Sequence, residues 1–279
     1  MSEGNEQPHP GRTVVDAARR GLAQDGGEQS EAGSREQERV TRSLELLWYG
    51  LPQLSKGPRR TLTLERIVET AITIADAEGL DALSMRRLAR DLDVGTMSLY
   101  RYVPDKAVLL DLMLDRLSEP GAARTDFAGK HWREVLELNA IGTRELYLAH
   151  PWLMQVNWTR PVLGPSSIAG LDLVMSYLAD LPMSDQERMM IVSTVDGYVT
   201  GAARQEIQYN ATAAEAGLSD EEFWSAQLPF LERAMNSGDY PTMAEMSEDT
   251  FDVGWEQSFR FGLELLLDGL EREIERRRD

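Results

Sequence analysis

The chain has 279 residues, 42% apolar and 27% charged side chains, no cysteine and a formal net charge of −18. That length suits about two domains. The missing cysteine excludes disulfide frameworks and thiolate chemistry, and with no run of eighteen apolar residues a membrane span is excluded too. The composition and the lack of an apolar signal core near the start predict a soluble, cytoplasmic protein. The acidity is uneven: residues 1–57 hold 7 basic and 9 acidic groups, 58–117 hold 9 and 10, and 118–279 hold 13 and 28. A near-neutral middle segment can still present a basic face, while an acidic remainder is repelled from phosphate.

Residues 1–33 are rich in Gly, Glu, Gln and Ser and are expected to form a disordered tail. Residues 34–62 form an extension with one helix, in which Val40, Leu44, Leu47, Trp48 and Leu51 share a face until Pro52 stops it. Its packing partner is not deducible from spacing. From the plausible N-cap Thr63, Leu64, Ile67, Val68, Ala71, Ile74 and Ala75 trace a helix that ends at Gly79. Ser84 caps a second helix with Met85, Leu88, Ala89 and Leu92 inward, and the short connection Asp93–Gly95 leads into Thr96–Tyr102, too short to be stable alone. Pro104 ends that segment, and Lys106 to Leu117 forms a fourth helix.

Two helices joined by a turn of three or four residues, the second needing the first as its platform, form a helix-turn-helix whose second helix enters the major groove. Thr96, Ser98, Tyr100 and Arg101 are its exposed candidates. Hydroxyls suit phosphates or base edges, and arginine suits phosphate or guanine. Arg86, Arg87 and Lys106 would ring the site. The alternative is a small helical bundle with solvated arginines.

The run LERIVETAITIADAEGLDALSMRRLARDLDVGTMSLYRYVPDKAVLLDLMLDRL from Leu64 to Leu117 closely resembles the DNA-binding domain of the tetracycline-repressor (TetR) family. The LSMRRLA helix, the VGTMSLYRYV segment and the following PDK occur in the family's order. This resemblance implies an all-α homodimer that binds a palindromic DNA operator and is released by a small-molecule effector. By position it implies that Met85 and Arg86 face the groove, that Thr96, Met97, Ser98 and Tyr100 contact DNA, and that Lys106 binds phosphate. Met85 and Met97 depart from the polar or proline residues of some members, so no base preference transfers. Lys56, Arg59 and Arg60 are candidates for a basic arm reaching the minor groove, or for a merely solvated cluster.

Residues 118–279 are expected to form a larger helical domain for ligand binding and dimerisation. Helices are predicted over 130–149, 166–181, 184–209, 221–235 and 250–277. The small residues Gly197 and Gly201, with Trp255, Phe259, Gly262, Leu266 and Leu270, are candidates for a four-helix dimer interface; an intramolecular core is the alternative. Trp152, Met154, Asn157, Trp158, Met175, Tyr177, Met190, Asp196 and Tyr198 are candidates for an effector pocket, although Met and aromatic residues also fill ordinary cores. Asp196 stands out, because an acid among apolar neighbours is costly unless paired. The isolated histidines give no metal-ligand spacing, and neither a metal nor a cofactor is expected.

A Gly-rich phosphate loop, HExxH and a nucleophile elbow are all missing, so an enzyme is not expected. The reading from sequence is a ligand-responsive dimeric repressor. The competing reading is a dimeric small-molecule sensor or scaffold acting without specific DNA binding.

Overall fold

The structure, a computed structural model, describes residues 31–51, 62–156, 160–217, 219–247 and 249–278. Most of the expected tail, together with Lys56, Arg59, Arg60, Asn157 and Trp158, lies outside them. Among the described residues every regular element is helical. The chain divides into two compact units, Met1–Arg42 and Ser43–Asp279. Helix α1 (Glu31–Tyr49) begins in the first and ends in the second.

Within the second unit, the end of α1 finds the partner that its spacing left open. Leu46 is buried, Ser43 Oγ donates to Asp111 at 2.6 Å, and Trp48 Nε1 donates to the Leu163 carbonyl at 3.2 Å. Asp111 lies on α5 (Lys106–Leu117).

The next two helices are capped where the sequence predicts. In α2 (Leu64–Glu78), Thr63 accepts from the Arg66 amide; in α3 (Met85–Asp91), Ser84 accepts from the Arg87 amide. Each cap satisfies a donor that the first helical turn cannot. Gly79, at φ 83°, ends α2 in a conformation that costs a glycine little. Helix α4 (Thr96–Leu99) is a single turn, and Tyr100–Tyr102 continue as a turn rather than as helix. It is held by Leu99 and Val103, both fully buried against Ile67, Leu88, Leu109 and their neighbours in a continuous apolar core. Burying a leucine contributes roughly 1.5–3 kcal/mol, enough to fix one turn that hydrogen bonds alone would not.

The C-terminal helices are longer. After a single turn α6 (Ala123–Asp126) come α7 (Trp132–Ala149), a 3-10 turn (Pro151–Gln155), α8 (Pro165–Leu178), α9 (Asp185–Ala216), α10 (Asp220–Met235), a turn α11 (Pro241–Ala244) and α12 (Trp255–Arg278). Helix α9 runs seven residues beyond the predicted 209 before Gly217, at φ 62°, stops it. The core of this region is Val135, Leu136 and Ala140 of α7 against Ile191, Val195, Val199 and Ala203 of α9, with Phe259, Leu263, Leu267 and Ile274 of α12. Arg144 is buried at its centre. Its guanidinium donates to Glu206 and Glu256, each at 2.7 Å, and sits 5.0 Å from the centre of the Phe259 ring, tying α7, α9 and α12 together.

Helix α5 belongs to both halves. Its first turns pack on α2, and near its end the buried Asp115 accepts from the Ser166 amide, the Ser167 amide and the Ser167 hydroxyl at 3.3, 2.9 and 2.9 Å. A carboxylate thereby caps the first turn of α8 across the fold. A Cβ on Gly164 would overlap that carboxylate, which is why only glycine fits there.

Candidate nucleic-acid interface and ligand cavity

The turn between α3 and α4 is tight. Asp93 takes φ 55°, a left-handed conformation that Asp tolerates better than most residues, and the Val94 amide bonds back to the Ala89 carbonyl at 2.9 Å. This chain reversal leaves one face of α4 outward. Met97 is 77% and Tyr100 42% exposed, and Arg101 is exposed, its guanidinium donating to Ser98 Oγ at 3.2 Å. Thr96 and Ser98 are half-buried beside them. Arg86 is exposed, with no hydrogen-bond or ion-pair partner among the described residues.

Three positions differ from the expectations for them, Met85 as a groove-facing residue and Arg87 and Lys106 as phosphate contacts around the site. Met85 is only 7% exposed and packs in the core, as its helical spacing indicated and its family position did not. Arg87 donates to both carboxylate oxygens of Glu78 at 2.7 and 2.8 Å and to Asp91 at 2.8 Å. These bonds lower the Glu78 and Asp91 carboxyls below their ordinary range and raise the guanidinium, so Arg87 fastens α3 to the end of α2. Lys106 donates to the Leu80 carbonyl at 2.7 Å and closes the loop between α2 and α3. Charge spacing could not separate Arg86 from Arg87, because Glu78, eight residues from the first and nine from the second, meets Arg87 only once α2 and α3 are packed.

A cavity of about 850 Å³ opens on the other side of α5. Leu117 and Ser118 at the end of α5, Phe127, Leu138, Ile141, Leu146 and Tyr147 around α7, Leu173 and Val174 of α8 and Asp196 of α9 line it. Gly170 lets α8 approach, since a Cβ there would lie 3.2 Å from the Ser118 carbonyl. Tyr147 is buried and receives a long bond from Thr200 Oγ1 at 3.4 Å. Burial, then the negative charge of Asp196, raise its phenol. Asp196 keeps surface open to the cavity while protein encloses its other sides, and that desolvation raises its carboxyl above the ordinary range.

Residues 67–113 match the family description "Bacterial regulatory proteins, tetR family", and residues 127–274 match "Tetracyclin repressor-like, C-terminal domain". The chain is 49% identical over 239 residues to the HTH-type transcriptional repressor DrrR1 of Streptomyces coeruleorubidus, covering 86% of this chain and 88% of that protein. It belongs to the TetR family. Among solved structures, apo ActR from Streptomyces coelicolor superposes with a TM-score of 0.61 at 28% identity, covering 78% of this chain and 99% of that one. ActR in complex with actinorhodin superposes with a TM-score of 0.60 at 29% identity, covering 77% and 99%.

Of the residues that sequence reasoning assigned to a TetR-like pocket, Asp196 alone among those described lines the cavity. Trp152 is buried below α2, where its Nε1 donates to Asp76 at 2.7 Å and His150 Nδ1 lies 2.7 Å from the same oxygen. Met154, Met175 and Tyr177 pack on the core, Tyr177 edge-on to Phe127, whereas Met190 is 59% exposed. Tyr198 stacks on Phe259 and donates to the Phe259 carbonyl at 2.8 Å. The cavity residues that sequence missed come chiefly from α7. Its apolar periodicity signalled a buried face, but not that part of that face looks into empty space.

The proposed dimer residues also divide. Gly197, Gly201 and Trp255 are exposed along a groove between α9 and α12. Phe259 is 2% exposed, Leu266 and Leu270 pack on the subunit core, and a Cβ on Gly262 would overlap the Tyr198 hydroxyl. Phe259 is internal, and Gly262, Leu266 and Leu270 are half-buried; the outward apolar side of α12 carries Phe261 and Leu265, 65% and 55% exposed.

Proposed function

We propose that the chain is a cytoplasmic homodimeric repressor and not an enzyme, in which residues 63–117 bind a palindromic operator and 118–279 bind the effector and the second subunit. One observation carries this reading: a single helix, α5, has its first turns in the core beneath the recognition turn and its last residues in the wall of the cavity. Two further ties couple the halves, Asp115 to the start of α8 and Asp76 to the end of α7. An effector filling the cavity acts on DNA affinity only through its different affinity for two arrangements of the heads, and these ties convert a shift of α7 or α8 into a shift of α2 and α5. Two heads must span about 34–36 Å to meet successive major grooves.

At the DNA face, Arg86 and Arg101 supply phosphate or guanine contacts, Met97 an apolar contact for a thymine methyl, and Tyr100 a ring against the backbone. Lys56, Arg59 and Arg60 supply an arm; Arg59→Ala with Arg60→Ala should flatten the salt dependence of binding. The exposed side of α12, with Phe261 and Leu265, and the open glycines of α9 supply the dimer surface. Exposed aromatic residues of this size on a helix are normally covered. No helix among the described residues is long and apolar enough to cross a membrane. The name of DrrR1 and the ActR complex with actinorhodin support repression and effector binding, respectively.

The test is a gel-shift titration against DNA upstream of the chain's own gene and its divergent neighbour. A band that survives nonspecific competitor is expected; loss of all binding to both fragments and to duplexes selected at random would favour the sensor or scaffold reading.

A further inference from the structure

The cavity has a sign as well as a volume. About 850 Å³ is the size of a pocket for a drug-sized molecule, and Phe127, Leu138, Ile141, Leu146, Leu173 and Val174 give it walls suited to an apolar, ring-bearing body. Its charged lining consists of Glu119, Asp126, Glu145 and Asp196; no lysine, arginine or histidine lines it among the described residues. Glu119 is paired with Arg116. Asp126, Glu145 and Asp196 have no hydrogen-bond or ion-pair partner among the described residues.

Asp196 is exposed, and the surface it shows faces the apolar-walled cavity that it lines. It stands on α9 beside the buried Val195 and Val199, and the protein around its carboxyl raises it above the ordinary range. The phenol of Tyr147 is close enough to be raised by its charge, and Thr200 donates to that phenol oxygen, leaving the phenol proton available to an acceptor in the cavity. An unpaired carboxylate against apolar walls costs stability, and a bound cation removes that cost. The charge of Asp196 acts on the Tyr147 phenol more strongly than that of Arg204, which lies outside the lining, so an anion would meet net like charge.

We propose that the cavity selects a cationic effector: an apolar aromatic body carrying a protonated amine that pairs with Asp196, with Tyr147 donating to an oxygen or nitrogen acceptor beside it. The inference rests on the reading of this cavity as the effector site. Asp126 and Glu145, which also line the cavity and are exposed, add to its attraction for a cation.

Three probes of one ring system test it: 9-aminoacridine, cationic at neutral pH, acridine, neutral, and acridine-9-carboxylate, anionic. Each is titrated calorimetrically into the full-length protein without DNA, because the first also binds duplexes. The cation should bind at least tenfold tighter than acridine, and the anion at least tenfold weaker. Asp196→Asn should bring the three affinities to within threefold of one another, while Asp196→Glu, which keeps the charge, should retain the order. A cation no tighter than acridine, an order unchanged by Asp196→Asn, or no binding of any of the three overturns the proposal. Leu173→Trp, which fills the cavity, should abolish binding of all three; probes that bind this variant unchanged defeat the effector-cavity reading itself rather than its charge selectivity.

Discussion

The DNA-binding head and the C-terminal helices are built from similar apolar residues but are finished to different degrees. In the head, the large apolar side chains left exposed are Met97 and Tyr100, both on the recognition segment. In the C-terminal region, Phe223, Trp224, Phe230, Phe251, Phe261 and Leu265 are all half exposed or more. A three-helix head closes its own core, so an exposed apolar group there stands out against a satisfied background. Helices α10 and α12 carry apolar residues over more of their circumference than this chain covers. One region closes its own core around the proposed reading face, whereas the other leaves large apolar side chains uncovered, as the proposed dimer requires.

The largest expected effect breaks that contrast at the outer face of α12. Phe261→Asp together with Leu265→Asp should weaken self-association by about 100-fold or more, as loss of central aromatic and aliphatic anchors does. Sedimentation at micromolar concentration would show monomers; a dimer that persists would place the interface elsewhere. Next comes the joint between the two regions. Asp115→Ala removes the acceptor of three half-buried donors of Ser166 and Ser167 and should cost about 2–3 kcal/mol. That corresponds to a fall in melting temperature of roughly 5–10 °C for a chain of this size. A smaller loss would mean that α8 does not depend on α5 for its cap.

Within the head, Arg86→Ala or Tyr100→Ala should each lower operator affinity about 10-fold or more while leaving the dimer intact. Arg87→Ala should change it less than about threefold, because an exposed structural ion pair contributes little. Equal losses at Arg86 and Arg87, measured by fluorescence anisotropy, would return Arg87 to the DNA face. The smallest effect concerns pH. Bonds from the Ser184 amide and from Arg277 hold the Glu187 carboxyl down at about 2, and bonds from Arg276 and Arg277 hold that of Glu273 at about 2, against an ordinary value of 4.5. A lowered carboxyl stabilises the folded state fully above the ordinary value and loses that contribution as pH falls toward 2. Melting temperature should therefore fall over this window, and Glu187→Gln should flatten the fall; an unaltered profile would remove the contact between α9 and α12 from the acid response.

Sequence by itself determined most of the helices and where several of them start. Thr63, Ser84, Asp105 and Ser184 cap helices where they are written, because a cap is a contact between residues three apart and needs no tertiary knowledge. It also determined the helix-turn-helix, whose spacing is equally local. Tertiary structure decided which arginine is spoken for, which side of an all-round apolar helix faces inward and where space remains between helices. Glu78 reaches Arg87 only once α2 and α3 are packed. Gly262 turns inward because Tyr198, sixty-four residues earlier, lies against it. The cavity is a property of the packing of α5, α7, α8 and α9 together, and of the residues expected in a pocket only Asp196, among those described, lies in its lining. An acid in an apolar stretch of helix is visible in one dimension, whereas a void has no residue of its own.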